Sequence, residues 1–582
     1  MGVAFILRVW GARSSIAYIA DTQIIREAMS VAQAMSGDPS YNLNLGGGLK
    51  YPLTLPLILL CAYGGIFLLA RLSGTVTSVS GFASLLFGQR ADMHLVAVVV
   101  LAILEVLLIP ALYWSARSLR PKHSGWVAAS LGAFSPLLVQ FGHQPRPHAP
   151  LATISFLAAI LLVAMANKTG RRWTVAATVV SALTIGTLQD GAVIIIPFAL
   201  AWVCRAYNLK RQGSSGLAHV LLDFILNLLV LAGLALFLYP ALLSEFAALA
   251  SGMLSGNSQF SLGSGSHLFT SQMLSMRNLP SLARLMFYYE PLATLLAVPA
   301  VVYMLAREFR KTTLWVVALP FPAVLLIAFG MYSGTYPRML AVLVPFLVIP
   351  VAYLVEDIMQ AARRRAGWVG PVGQSSLAAM LLLPGLITSV RMDWVLSRTD
   401  TRTQASRWIE THYPEGTTLT SNFQLLELAP SRESLLRQQA VDPESLGTYG
   451  QWLLRLEAKD YPAPPTYDIV DPNAYRLSGV QELQALFRDR GIGITVLAIA
   501  PQLKDFDLLT GYALEYGRLA REFRPASGTT QGFLPDDFFA PVWREVWQLE
   551  RPGPTVLVVE MQPSAQAQTD ERQMPALKAA NP

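Results

Sequence analysis

Residues 95–114 read LVAVVVLAILEVLLIPALYW, twenty residues with one charge, Glu105. A helix of that length rises about 30 Å, the hydrocarbon thickness of a bilayer. Just beyond it, Arg117, Arg120 and Lys122 crowd into one short connection, and residues 126–141 are apolar again. This alternation recurs along the chain. Further apolar runs cover 151–166, 173–188, 192–202, 220–239, 286–306, 314–330, 339–354 and 377–390. Residues 51–72 are apolar enough to cross, or to fold back as a re-entrant segment at Pro52 and Pro56. The chain thus reads as a polytopic α-helical membrane protein of about eleven spans, with a re-entrant or juxtamembrane segment near its start.

Composition supports this. Of 582 residues, 53% are hydrophobic and 14% charged, where a soluble domain carries about 25% charged residues. The charges are unevenly placed: residues 1–390 hold 25 Lys+Arg and 12 Asp+Glu, residues 391–582 hold 19 and 25. That shift divides the chain into a membrane domain, 1–390, and a soluble α/β domain, 391–561, followed by an Ala-, Gln- and Pro-rich tail, 562–582, expected to be disordered. The basic excess belongs to the membrane part, and no basic patch interleaved with aromatics speaks for nucleic acid. Cys61 and Cys204 lie inside apolar runs and supply neither a disulfide framework nor a cysteine metal site. Met1–Leu7 is too short to span alone, so the natural first helix is expected to begin earlier.

The loops give the orientation. Fifteen of the 25 basic residues fall in five connections: Arg117/Arg120/Lys122, Lys168/Arg171/Arg172, Arg205/Lys210/Arg211, Arg307/Arg310/Lys311 and Arg363/Arg364/Arg365. The positive-inside rule puts these in the cytoplasm. Residues 143–148, 189–191, 240–285 and 331–338 then face outward, and so does the C-terminal domain. The expected address is the plasma (inner) membrane.

Chemistry is sought among the outward polar residues, because charge near a bilayer is costly and often functional. Asp21 precedes an amphipathic stretch, 22–35, with Ile24, Ile25, Met29, Ala32 and Met35 at helical spacing, and can serve as that helix's cap. His143 and His148 flank Arg146 on one loop, too few ligands for a metal. Asp190 can cap a helix or line a cavity. Arg338, after Tyr336-Pro337, can grip a phosphate bidentately or snorkel to headgroups, and Lys50, before Tyr51-Pro52, poses the same choice. No phosphate-cradling glycine loop, Ser-His triad or zinc-protease motif is present.

Several short motifs in this order carry a resemblance: Arg8-Val9-Trp10-Gly11 and then Asp21; Lys50-Tyr51-Pro52; Ser135-Pro136 leading to His143-Gln144-Pro145-Arg146-Pro147-His148; Tyr336-Pro337-Arg338 with Pro345; Asp400-Thr401-Arg402 with Trp408-Ile409; and Pro552-Gly553-Pro554-Thr555-Val556. In these the chain resembles the GT-C fold membrane glycosyltransferases, in the bacterial phospholipid-carrier-dependent branch of protein O-mannosyltransferases and aminoarabinose transferases. The resemblance runs through nearly the whole chain. It departs where that family has a second acidic residue after the first (Thr22 here), an acid after Arg-Pro (His148) and a Lys-Tyr pair (Gln189-Asp190).

The resemblance implies an inverting transfer of a hexose-type sugar from a polyprenyl-phosphate donor to a lipid, glycan or protein acceptor. Asp21 would be the base. Arg338, helped by Lys50 and Arg146, would hold the donor phosphate. Asp190, His148, His143, Tyr51 and Tyr336 would line the acceptor cavity, and a role for a divalent metal stays open. The competing readings are a polytopic transporter or lipid flippase, and a non-catalytic relative that binds a lipid-linked sugar. In the soluble domain, 401–411 and 481–490 read as helices and 418–420, 493–498 and 555–559 as strands; this domain is expected to cap the outer cavity or recognise the acceptor.

Overall fold

The computed structural model describes residues 1–12, 22–35, 51–78, 81–82, 90–120, 123–168, 170–212, 217–245, 247, 259–261, 268–270, 276, 278–308, 311–331, 336–366, 369–423, 426–456, 461–499, 507–526 and 541–561. The chain divides into two compact units: Met1–Ser397 with Asp536–Gln548, and Arg398–Pro535 with Leu549–Pro582.

The first unit is helical. In chain order it contains α1 (Gly2–Val9), α2 (Thr22–Met35), α3 (Thr54–Leu72), α4 (Arg90–Val106), α5 (Leu108–Leu119), α6 (Ser124–Ala133), α7 (Pro136–Gly142), α8 (His148–Asn167), α9 (Arg171–Ile185), a 3-10 turn (Gln189–Ile194), α10 (Ile195–Arg211), α11 (Leu217–Leu238), α12 (Leu279–Tyr289), α13 (Pro291–Glu308), α14 (Thr312–Ala318), α15 (Pro320–Met331), α16 (Pro337–Leu340), a 3-10 turn (Ala341–Leu343), α17 (Val344–Ala366) and α18 (Val369–Leu396). Short strands β1 (Gln259–Ser261) and β2 (Leu268–Thr270) form an antiparallel ribbon. Among the described residues nine helical segments are long and apolar enough to cross a membrane, and ten if the bent pair α6–α7 is one span. The protein is a multi-pass membrane protein.

Local sequence explains where this differs from the expected spans. The run 95–114 breaks at Leu107, between α4 and α5, because Pro110 has no N–H for the carbonyl four residues back. Pro52 and Pro56 do not break the 51–72 run: α3 is continuous over 19 residues, and Pro56 falls in its first turn, where no N–H is needed. The 173–188 run yields α9, 15 residues long and about 22 Å in rise, short of a full crossing. At the other end, α18 continues past residue 390 to Leu396, with Met392, Asp393, Val395 and Leu396 buried. Residues 391–396 therefore belong to the membrane unit and not to the soluble domain. The segment 541–548 also joins that unit: α19 (Val542–Glu545) packs on α12 and α18, and Arg391 donates through Nε to Val546 O at 3.2 Å. 

α8 and the α16–α17 segment are largely buried, whereas α11 presents Leu221, Leu222, Leu229 and Phe237 outward. A largely apolar exposed face of this kind is what lipid solvates. The basic connections are stitched together by polar contacts. Arg120 meets Asp357 at 3.1 Å and lies over the Tyr353 ring; Tyr303 Oη donates to Asp357 at 2.9 Å and Tyr353 Oη to Glu308 at 2.7 Å, and Glu308 also pairs with Lys311 at 2.9 Å. Fully buried Glu356 accepts from His123 N at 2.8 Å. Arg205 donates to the Met165 and Lys168 carbonyls at 2.7 and 2.6 Å. 

The second unit is built on a six-stranded sheet of order β4-β5-β3-β6-β8-β7: β3 (Thr418–Ser421), β4 (Ala429–Pro430), β5 (Thr466–Val470), β6 (Ile494–Ile499), β7 (Gly517–Phe523) and β8 (Thr555–Met561). The first four neighbours run parallel and β8 and β7 antiparallel. Helices Thr401–His412 and Val480–Arg490 lie close to the ranges read from periodicity. Asp400 caps the first of these and holds Arg402 at 2.8 Å, both fully buried, and Thr401 Oγ1 donates to Pro554 O at 2.7 Å. The opening and closing motifs of the domain thus meet. The tail 562–582 lies outside the described residues.

Gly11 has φ +89°, and a Cβ there would sit 2.8 Å from Ser397 N and 2.9 Å from Leu396 C. Gly11→Val should destabilise the chain by at least about 2 kcal/mol, from left-handed backbone strain plus loss of the α1–α18 approach. Gly65→Ala, in α3 with nothing within 4 Å, should be neutral or slightly stabilising. Thermal unfolding of the two variants in one detergent checks the contrast; equal midpoints would contradict it.

Candidate functional site

The site is built around the loop between α7 and α8. Ser135 caps α7, its Oγ accepting from Leu138 N at 3.2 Å, and Pro136 occupies the first turn. The Glu290 carboxylate, from the α12–α13 junction, accepts from Leu137 N at 3.2 Å and from Ser135 Oγ at 2.5 Å. Burial pushes Glu290 up to about 7 against those hydrogen bonds. After Gly142 the chain turns tightly, with Arg146 N donating to Gln144 O at 2.7 Å, and Pro147 leads into α8. His143, Gln144, Arg146 and His148 are all buried. The polar residues of this loop, expected on the outward side, are packed against their neighbours.

Beneath it lies a group of charges that the sequence reading did not assemble. Arg8 of α1 pairs with Glu105 of α4, Nε to Oε2 at 3.4 Å, and His143 Nε2 stands 3.4 Å from Oδ1 of Asp393 on α18. All four side chains are at most 3% exposed. Arg8 also donates to Ala4 O at 2.9 Å and Gly132 O at 3.3 Å. α1 packs on α4, α7 and α18, the elements that supply its partners. Gly142 permits this: a Cβ there would lie 2.8 Å from both Arg8 Cγ and Glu105 Oε2. The available signal was a carboxylate inside an apolar run. Glu105 gave it, whereas Asp393 fell beyond the expected end of the last span. His143, expected to line the acceptor cavity, is a buried member of this group.

A second group forms where α9 and α11 end. Leu53 N donates to Leu238 O at 2.6 Å and Thr54 N to Gly186 O at 2.9 Å. Gly186 is required there, since a Cβ would sit 2.4 Å from Thr54 Oγ1. Tyr51 N donates to the buried Glu27 carboxylate at 3.1 Å. Tyr239 hydrogen-bonds Glu245 and Gln189 and feels the charge of Asp190. Burial pushes the Glu245 carboxyl up, against the Tyr239 hydrogen bond. The Tyr51 segment and Asp190 are thereby tied to neighbouring helix ends.

Arg338 is half-buried and stacks on Tyr336, guanidinium carbon to ring centre 4.2 Å. Its helix, α16, packs on α7, α8 and α12, while the 3-10 turn bearing Asp190 packs on α8 and α15. α8 is therefore the common neighbour of the loops bearing Arg146/His148, Asp190 and Arg338. Asp21 and Lys50 lie outside the described residues. Among the described residues no three His, Cys, Asp or Glu side chains are grouped to hold a metal ion.

No family model matches the chain, and no curated protein matches it. Solved structures do match, among them two of one protein. ArnT from Cupriavidus metallidurans, bound to undecaprenyl phosphate, is 12% identical over 96% of each chain with a TM-score of 0.42, and the same protein in its apo state gives the same values. 

Removing one member of a buried ion pair typically costs about 3–5 kcal/mol, since the other charge is left uncompensated. Arg8→Met should destabilise the protein on that scale, and Arg8→Met/Glu105→Leu should recover more than half of the loss. Unfolding of the single and double variants in the same nanodiscs measures this. A double variant less stable than the single would show that the pair is not coupled.

Proposed function

We propose that this chain is a glycosyltransferase that moves a hexose-type sugar from a polyprenyl-phosphate donor to an extracytoplasmic acceptor with inversion. It would work from the plasma (inner) membrane with its C-terminal domain outside. The observation that carries the reading is the shared packing of the Arg146 loop and the Arg338 helix around α7 and α8. Two guanidinium groups far apart in sequence suit a phosphate leaving group, on which negative charge develops as the glycosidic bond breaks. The motif order noted above points the same way.

The reaction assigned to these groups balances simply. The acceptor hydroxyl oxygen attacks the anomeric carbon, the carbon–oxygen bond to phosphate breaks, and polyprenyl phosphate leaves with the electron pair. Asp21 takes the hydroxyl proton. Arg338, Arg146 and Lys50 hold the phosphate, and Asp190, His148, Tyr51 and Tyr336 orient acceptor and sugar. A transporter must open both ends of its bundle in turn. The ion pairs and phenol–carboxylate bonds joining α5, α13 and α17 at the basic end oppose that motion, which favours the transferase.

Asp21→Asn should lower sugar transfer in proteoliposomes by about 100-fold or more, with the protein still folded. Arg338→Ala should mainly raise the donor KM. Near-normal transfer by Asp21→Asn removes that residue as base, and donor binding without transfer by the unaltered chain would favour the non-catalytic relative.

A further inference from the structure

We propose that His143 is held as an imidazolium by the buried Asp393 carboxylate, and that this cation positions the loop carrying Arg146. The positioning role rests on the donor-phosphate reading above; the protonation state does not.

The hydrogen-bond geometry requires two donors. His143 Nδ1 lies 2.8 Å from Val139 O, and Nε2 lies 2.9 Å from Trp10 O. A carbonyl oxygen only accepts, and a neutral imidazole has a single N–H. A neutral ring in this position would aim a lone pair at a carbonyl oxygen, with the side chain 3% exposed and little access for water to relieve it. The doubly protonated ring satisfies both contacts.

Charge counting agrees. The charged groups around the ring are Asp393 from α18, at 3.4 Å, and Arg8 from α1, whose own positive charge opposes a second cation but is paired with Glu105 from α4. With both carboxyls ionised and the histidine neutral, two carboxylates would share one guanidinium. Neither Asp393 oxygen has a hydrogen bond among the described residues, and its side chain is fully buried. Burial above all, and the nearby Arg8 charge, push the His143 imidazole down, but the ring has a carboxylate at 3.4 Å and two carbonyl acceptors that only an N–H can meet. Protonating His143 makes the group of four neutral.

The cation joins three segments. Trp10 is the C-cap of α1, Val139 O belongs to the last turn of α7, and Asp393 anchors the ring to α18. His143 is three residues before Arg146. Fixing its ring at both nitrogens fixes the start of the loop, and so the reach of the guanidinium. Such a group acts through Arg146 rather than on the substrate.

Two measurements on the full chain in nanodiscs test this. Nitrogen-15 spectra of ring-labelled histidine, assigned with His143→Gln, should show both His143 nitrogens protonated between about pH 6 and about pH 8, beyond the ordinary histidine range. Asp393→Asn should bring its deprotonation into that window. A neutral His143 ring at pH 7 in the unaltered chain overturns the imidazolium. Separately, binding of undecaprenyl phosphate should weaken about tenfold in His143→Gln and no further in His143→Gln/Arg146→Gln than in Arg146→Gln alone. Additive losses, or a loss in Arg146→Gln with none in His143→Gln, overturn the positioning role alone. Undiminished binding in both Arg146→Gln and Arg338→Ala is a failure of the donor reading, and the positioning role falls with it. If His143→Gln does not fold, Asp393→Asn takes its place in the binding series.

Discussion

A guanidinium, an imidazole and two carboxylates buried among apolar helices are the constraint around which the membrane unit is arranged. In a bilayer an unpaired charge has no water to fall back on. Arg8 and Glu105 can meet only if α1 reaches α4, and His143 and Asp393 only if α18 reaches the end of α7. The distances of 3.4 Å in both pairs place four elements from opposite ends of the membrane unit's sequence around one point. Apolar packing alone would allow these helices to slide or rotate past one another, since lipid tails are as apolar as leucine. The charges select one arrangement.

Close backbone approach is the second requirement, and small residues meet it. Gly142 leaves room for the Arg8 and Glu105 side chains. Gly11 lets the turn after α1 lie on the backbone at Leu396 and Ser397. Gly385 would carry a Cβ 2.9 Å from Phe134 O, the carbonyl that accepts from Ser389 Oγ at 3.1 Å. Each glycine sits where a charged or hydrogen-bonded contact crosses between helices. The packing and the electrostatics are thus one design, and a side chain at any of these positions would pull apart groups that cannot be left unpaired.

The membrane architecture was legible because hydropathy and loop charge are local properties. The apolar run 95–114 and the basic cluster after it are visible without a partner. Pairing is not local. Glu105 stood out as an acid in an apolar run, but nothing in sequence says that its partner is Arg8. Asp393 was hidden by ending the last span at residue 390, where hydropathy falls although α18 continues to Leu396. His143 and Arg146 looked like loop residues facing water, because a Pro-rich turn reads the same whether buried or exposed. In the soluble domain β5 and β7 were missed: TYDIV follows a proline run, and GRLAREF looks too charged for a strand, yet as the outermost strand beside β8 it can carry such residues on its exposed side.

The two ends of the membrane unit are built differently, and the difference bears on what it can do. At the basic end, side chains bind one another across helices: Arg120 to Asp357, Tyr303 to Asp357, Tyr353 to Glu308. At the other end, beside side-chain pairs such as Tyr239 with Glu245 and Ser135 with Glu290, many contacts engage the backbone: Leu53 N to Leu238 O, Thr54 N to Gly186 O, Leu137 N to Glu290, and His143 to two carbonyls. Backbone contacts of this kind hold loops in place without consuming every polar side chain in pairings of its own. Transfer chemistry asks for that division. In the transfer proposed above, one end resists opening and the other presents fixed loops. Alternating access would need the opposite, two ends of comparable strength that take turns in separating.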